Sequence, residues 1–90
     1  MLDGSVNVVN PLGLHARAAA QLVRVAGMYK SRITLHRPDS NAFANAKSIL
    51  SVLALAAAVG TTLRVEADGE DEGDAFSAIT GLFENGFGEI

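Results

Sequence analysis

The segment Gly13-Leu14-His15-Ala16-Arg17 places an imidazole where a turn runs into an apolar helix, with a guanidinium two positions on. An unperturbed imidazole titrates near about 6.5, so near pH 7 one ring nitrogen keeps a free lone pair. Such a nitrogen can attack a phosphorus centre directly, without a separate base. The opening amides of a helix lack intrahelical partners and favour anions. The backbone amides of Ala16 and Arg17 are therefore expected to face a phosphoryl group carried on His15. Arg17 adds a fixed charge and a fork of donors for phosphate oxygens. Helix-end attraction of about 0.3–1 kcal/mol at an exposed site biases geometry without trapping the group. An N-phosphoryl imidazole of this kind suits relay better than storage. The competing reading makes His15 a helix cap, its ring bonded to a first-turn amide, and Arg17 an ordinary solvated residue.

A second constellation is Lys47-Ser48-Ile49. Ser48 reads as a helix N-cap, which needs no further role. Behind it, Ile49, Leu50, Val52, Leu53 and Leu55 are too many large apolar residues for one side of a short helix. Either the helix turns most of them into the core, or Ile49, Leu50 and Leu53 belong to a transient docking patch rimmed by Arg17, Arg24 and Lys47. His36 lies among polar neighbours and reads as a surface residue. Two histidines, no cysteine and no histidine-carboxylate motif give no metal site. No GxGxxG or GxxxxGK[ST] occurs, so no nucleotide or other cofactor is expected, and a phosphoryl group must come from another protein.

The elements that position these residues follow from periodicity. Ser5 to Val9 is rich in β-branched residues and reads as a first strand with Val6 and Val8 inward. Asn10-Pro11-Leu12-Gly13 breaks it. From Ala16 the period becomes helical, with Ala16, Ala19, Leu22, Val23 and Ala26 on one face and Gly27 as the stop. Arg32 to His36 alternates as a second strand. Pro38 to Asn41 reverses the chain, and Ala42 to Asn45 pairs back as a third, leaving Phe43 on the open face. A short apolar helix follows Ser48, then a strand from Thr61 to Ala67. Asp68-Gly69 turns into a last helix with acids at its start and Ala75, Phe76, Ile79, Leu82 and Phe83 as its buried stripe. Gly86-Phe87-Gly88 ends it. The order β-α-β-β-α-β-α predicts an α+β, open-faced two-layer sandwich: a four-stranded, mainly antiparallel sheet with three helices on one face.

Ninety residues make one domain over positions 1–90. Ten acids against seven bases, a formal charge of −3, argue against nucleic-acid binding. They also disfavour a small RNA-binding module, which needs basic and stacking residues together. The longest apolar run, Val52 to Val59, is far short of the ~20 residues of a membrane span, and residues 1–10 do not form a signal-peptide core. A cytoplasmic monomer with no membrane partner is the expectation.

Together, Gly13-Leu14-His15-Ala16-Arg17 and Lys47-Ser48-Ile49, about thirty residues apart, closely resemble the HPr family of histidine-containing phosphocarriers. That family serves the bacterial phosphoenolpyruvate-dependent sugar phosphotransferase system, and the resemblance runs over nearly the whole chain. It implies that enzyme I phosphorylates His15 on Nδ1 and that His15 passes the group to enzyme IIA domains, with Arg17 steadying it. Such a protein is a transfer intermediate with no independent turnover. The resemblance also implies that Ser48 matches a regulatory serine modified by a dedicated kinase, the HPr kinase/phosphorylase. One departure is Ala18, where the family usually has proline, which restores an N–H donor in the first turn. It leaves room for a second reading, a regulatory or nitrogen-branch carrier that acts through Ser48 or partner binding and not in sugar uptake.

Overall fold

Side chains repeat every two residues in strands and every 3.6 in helices, and the chain switches between these periods at each turn. The computed structural model describes residues 1–90. Its elements are β1 (Leu2–Asn7), α1 (Ala16–Ala26), β2 (Arg32–Arg37), β3 (Ala42–Asn45), α2 (Ile49–Ala54), β4 (Thr62–Asp68) and α3 (Glu72–Glu84), followed by a tight turn at Gly86–Gly88. The four strands form one antiparallel sheet in the order β1-β4-β2-β3. This is the open-faced α+β sandwich expected from the sequence.

The first strand differs from its expected bounds. It begins at Leu2 and ends at Asn7, because Asp3 and Gly4, poor strand formers alone, register with Glu66 and Val65 of β4. Gly4 also leaves room for the ring of Phe76, which a Cβ there would approach to 2.9 Å. Val8 remains buried although it lies beyond the strand, and its amide bonds Thr61 O at 2.9 Å.

The core lies between sheet and helices. Ile33, Leu35, Leu63, Val65 and Ala67 project from the sheet onto Ala18, Ala19, Leu22 and Ala26 of α1 and Ala75, Ile79 and Phe83 of α3. Leu22 is the only large residue among those α1 buries, so it carries much of that helix's burial. Truncating such a residue to alanine costs about 2–5 kcal/mol. On the opposite face Phe43 is 58% exposed and stacks on His36, with ring centroids 4.1 Å apart.

In α2, Val52 and Leu55 turn inward and Leu53 packs partly against the core, while Ile49 and Leu50 stay outside at 40% and 77% exposure. Arg37 Nη1 donates to Leu55 O (2.8 Å) and Ala56 O (3.0 Å), supplying partners that the last turn of α2 lacks. The helix runs back along α1. Lys47 Nζ donates to Tyr29 O (2.7 Å) beyond the C-terminal end of α1, and Leu14 N donates to Ala57 O (2.9 Å) at its start.

Candidate functional site

The loop that delivers His15 is fastened at Asn10, Gly13, Leu14 and His15. Gly13 N bonds Asn10 O (3.1 Å), closing a turn, and Asn10, fully buried, donates through Nδ2 to Gly13 O (2.8 Å). Gly13 has φ +66°, and a Cβ there would lie 2.5 Å from Ala57 O. Only glycine fits both that conformation and that approach. Leu14 is buried beneath, and His15 N bonds Gly13 O at 2.9 Å.

His15 is the N-cap residue of α1, with extended backbone (φ −73°, ψ 177°), and its carbonyl accepts from Ala19 N at 2.9 Å. Its ring does not cap the helix, so the capping alternative does not hold in this structure. The ring is half-buried, with the side chain 23% exposed, and Nε2 faces Glu89 Oε2. Nδ1 makes no hydrogen bond to the protein. The amides of Ala16 and Arg17, in the first turn, donate to no acceptor, and that turn holds no acid. Arg17 is exposed beside it.

Glu89 was not singled out from the sequence, where Gly86-Phe87-Gly88 reads only as a helix end. The structure uses those residues to bring the chain back over α1. Phe87 is buried and meets Phe83 edge to face at 5.1 Å. Gln21 Nε2 donates to Phe87 O at 3.2 Å. Gly86 takes φ +58°, where a Cβ would fall 2.6 Å from Ile90 Cγ1. The Glu89 side chain is thereby 14% exposed, with Oε1 accepting from Asn10 Nδ2 (3.2 Å) and Oε2 against the His15 ring. The bond to His15, aided by Asn10 and the charge of Arg17, holds its carboxyl below the usual carboxylate range. The signal for this return was an apolar residue between two glycines, followed by an acid.

A carboxylate can only accept hydrogen bonds. The ring nitrogen facing Glu89 therefore carries the proton, and a neutral His15 presents a bare Nδ1. Between Arg17 and Glu89 lies an open cleft of about 500 Å³ whose walls also include Leu12, Gln21 and Phe87. An unpartnered ring nitrogen on a half-buried histidine, unpartnered helix amides and a free guanidinium together can bind and accept a compact anionic group.

The other expected residues are more dispersed. Ser48 is the N-cap of α2, its Oγ accepting from Ser51 N at 3.3 Å, and is half-buried. Because Lys47 reaches Tyr29, Ser48 and Ile49 lie toward the far end of α1 from His15. Eleven helical residues span roughly 16 Å. Arg24 and Lys47 are exposed. His36 belongs to the open sheet face, and no group of histidines and acids could hold a metal ion.

Residues 2–85 match the family described as PTS HPr component phosphorylation site. The chain is 48% identical over 89 residues to the phosphocarrier protein HPr of Xylella fastidiosa, covering 99% of this chain and 98% of that one. It matches the crystal structure of HPr-C-His from Thermoanaerobacter tengcongensis with a TM-score of 0.94 at 36% identity, covering 100% and 99% of the two chains. An HPr dimer from the same organism matches with a TM-score of 0.77 at 36% identity, covering 99% and 100%. With the fold and the histidine motif in place, this chain belongs to the HPr family of phosphotransferase-system phosphocarriers.

Proposed function

We propose that this protein accepts a phosphoryl group on Nδ1 of His15 from phosphorylated enzyme I and passes it to enzyme IIA domains of sugar permeases. The observation that carries this reading is the half-exposed ring with Nε2 engaged and Nδ1 unpartnered, at a helix end whose first amides are open. The Nδ1 lone pair attacks phosphorus, and the bond to the donor breaks with its electron pair leaving on the donor. Amides of Ala16 and Arg17 bond the phosphoryl oxygens, and the Arg17 guanidinium offsets their charge. The donor and acceptor supply the remaining chemistry, so the protein turns over nothing alone and needs no cofactor.

Ile49, Leu50 and Leu53, with Arg24 and Lys47, form the docking face in this reading. The exposure of Ile49 and Leu50 supports it. Phosphorylation of Ser48 by an HPr kinase/phosphorylase would place about −1.5 to −2 charges beside that face and weaken docking. A sugar-branch carrier is favoured over the nitrogen-linked or regulatory branch because the relatives at 43–48% identity bear the name phosphocarrier protein HPr. We place it in the cytoplasm as a monomer. No helix is long and apolar enough to cross a membrane, and light scattering at micromolar concentration tests the monomer against the dimeric arrangement of its relative.

The test is incubation with enzyme I and labelled phosphoenolpyruvate. The expected product is an acid-labile, base-stable adduct that discharges onto enzyme IIA. Undiminished labelling of a His15→Ala variant contradicts the assignment.

A further inference from the structure

Phosphoryl acceptance at His15 uses Nδ1 and gives no role to the carboxylate on the other side of the ring. Glu89 lies 74 residues away in sequence and reaches the ring only because the C-terminal turn is anchored. Phe87 is buried against Phe83, and Gln21 holds the Phe87 carbonyl. Each carboxylate oxygen has its own partner, Oε1 with Asn10 Nδ2 and Oε2 with His15 Nε2. Asn10 in turn donates to Gly13 O, so one buried amide joins the turn that delivers His15 to the residue that orients it.

We infer that Glu89 is a positioning residue for phosphoryl transfer at His15: it keeps the ring proton on Nε2, aims Nδ1 at the incoming phosphorus, and balances the charged ring of the phosphorylated state. This rests on the reading of His15 as the acceptor. When the Nδ1 lone pair bonds phosphorus, the ring keeps its Nε2 proton and becomes positively charged. Glu89 stabilises that ring from the side away from the phosphoryl oxygens, where its own charge repels them least. When the group leaves, the phosphorus–nitrogen bond breaks, its electron pair returns to Nδ1, and the proton has stayed between Nε2 and Glu89 throughout. A carboxylate that fixes tautomer and ring orientation plays the same part in histidine-based catalytic sites. Arg17 is the only other charged side chain that bears on Glu89, and it favours the ionised carboxylate.

The experiment compares the full chain with Glu89→Ala and Glu89→Gln. Side-chain ¹⁵N NMR of the unphosphorylated protein reads the tautomer, and rapid-quench kinetics with phosphorylated enzyme I reads kcat and KM. In the unaltered chain Nε2 is protonated, with a slowly exchanging proton, and Nδ1 is bare. In Glu89→Ala the proton exchanges too fast to observe, both tautomers are populated, and kcat falls by on the order of 10-fold with KM nearly unchanged, the loss expected for one charge-assisted hydrogen bond. Glu89→Gln, which keeps the shape and an acceptor oxygen, falls between the two. Glu89→Ala retaining either the tautomer or the kcat of the unaltered chain overturns the inference. Failure of the unaltered chain to take label refutes instead the reading of His15, and the NMR arm still reports on Glu89.

Discussion

The starts of α1 and α3 are both helix N-termini facing a loop, yet they are finished in opposite ways. At α3 the positive end is closed by acids of its own segment. Asp71 accepts from Lys30 N (2.8 Å), Ser31 N (2.9 Å) and the Ser31 hydroxyl, while Glu72 accepts from Gly69 N (3.2 Å) and pairs with the N-terminal amine (2.9 Å). At α1 the first turn holds no acid, the His15 ring leaves the amides alone, and Arg17 adds another positive charge. One terminus is a structural joint that carries its own negative charge, tied to neighbouring segments. The other has no acid at its positive end. The difference is one of residue choice within a single turn, and it separates an end with acids from an end without them.

Substitutions can move each terminus toward the other. The largest effect is expected from Arg17→Ala, which removes the free guanidinium. Phosphoryl transfer should slow by roughly 10- to 100-fold, since a donor aimed at a transferring anion contributes up to that order. Thermal melts should be unchanged because Arg17 is exposed. Next is Ala16→Glu, which gives α1 an acid like those of α3. Helix stability should hold or rise by about 0.3–1 kcal/mol, while transfer falls by about 10-fold as the acid competes with the phosphoryl group for the same amides. A faster carrier from Ala16→Glu would break the comparison.

The reverse case is Asp71→Asn, which should lower Tm without touching transfer. Hydrogen bonds from the Ser31 hydroxyl and then the Lys30 amide hold the Asp71 carboxyl below its ordinary range. A group depressed in the folded state stabilises fully above its unfolded value, near about 4, and that contribution disappears as pH falls through the lowered one. Melts of the unaltered protein should therefore weaken below about pH 4, more steeply than melts of Asp71→Asn. The smallest effect is expected from Ala18→Pro. It removes one first-turn amide that has no helical partner, so Tm and transfer rate should both stay close to those of the unaltered chain.

Much of this was legible in the sequence, and the parts that were not have physical reasons. Strand and helix order followed from periodicity, and the inward set Leu63, Val65 and Ala67 follows from strict alternation. The start of β1 was missed because Asp3 and Gly4 are strand-like only when paired to β4. His15 and Arg17 could be found because a turn, a histidine and a helix start lie within five residues. Glu89 and Asn10 could not, since their role depends on a contact between chain ends created by the burial of Phe87. Exposure of Ile49 and Leu50 was foreseeable only as a surplus. Which residues of α2 would turn outward depended on its packing against α1 and on the hold of Arg37 at its end.

The most direct test is ³¹P–¹⁵N correlation on protein phosphorylated through enzyme I, with its histidines labelled in the ring. A single phosphoramidate coupled to Nδ1 of His15 is the expected result. Coupling to Nε2, or a phosphoryl group on His36, would contradict the account, because the open nitrogen and the open helix end would then not be where the group is carried.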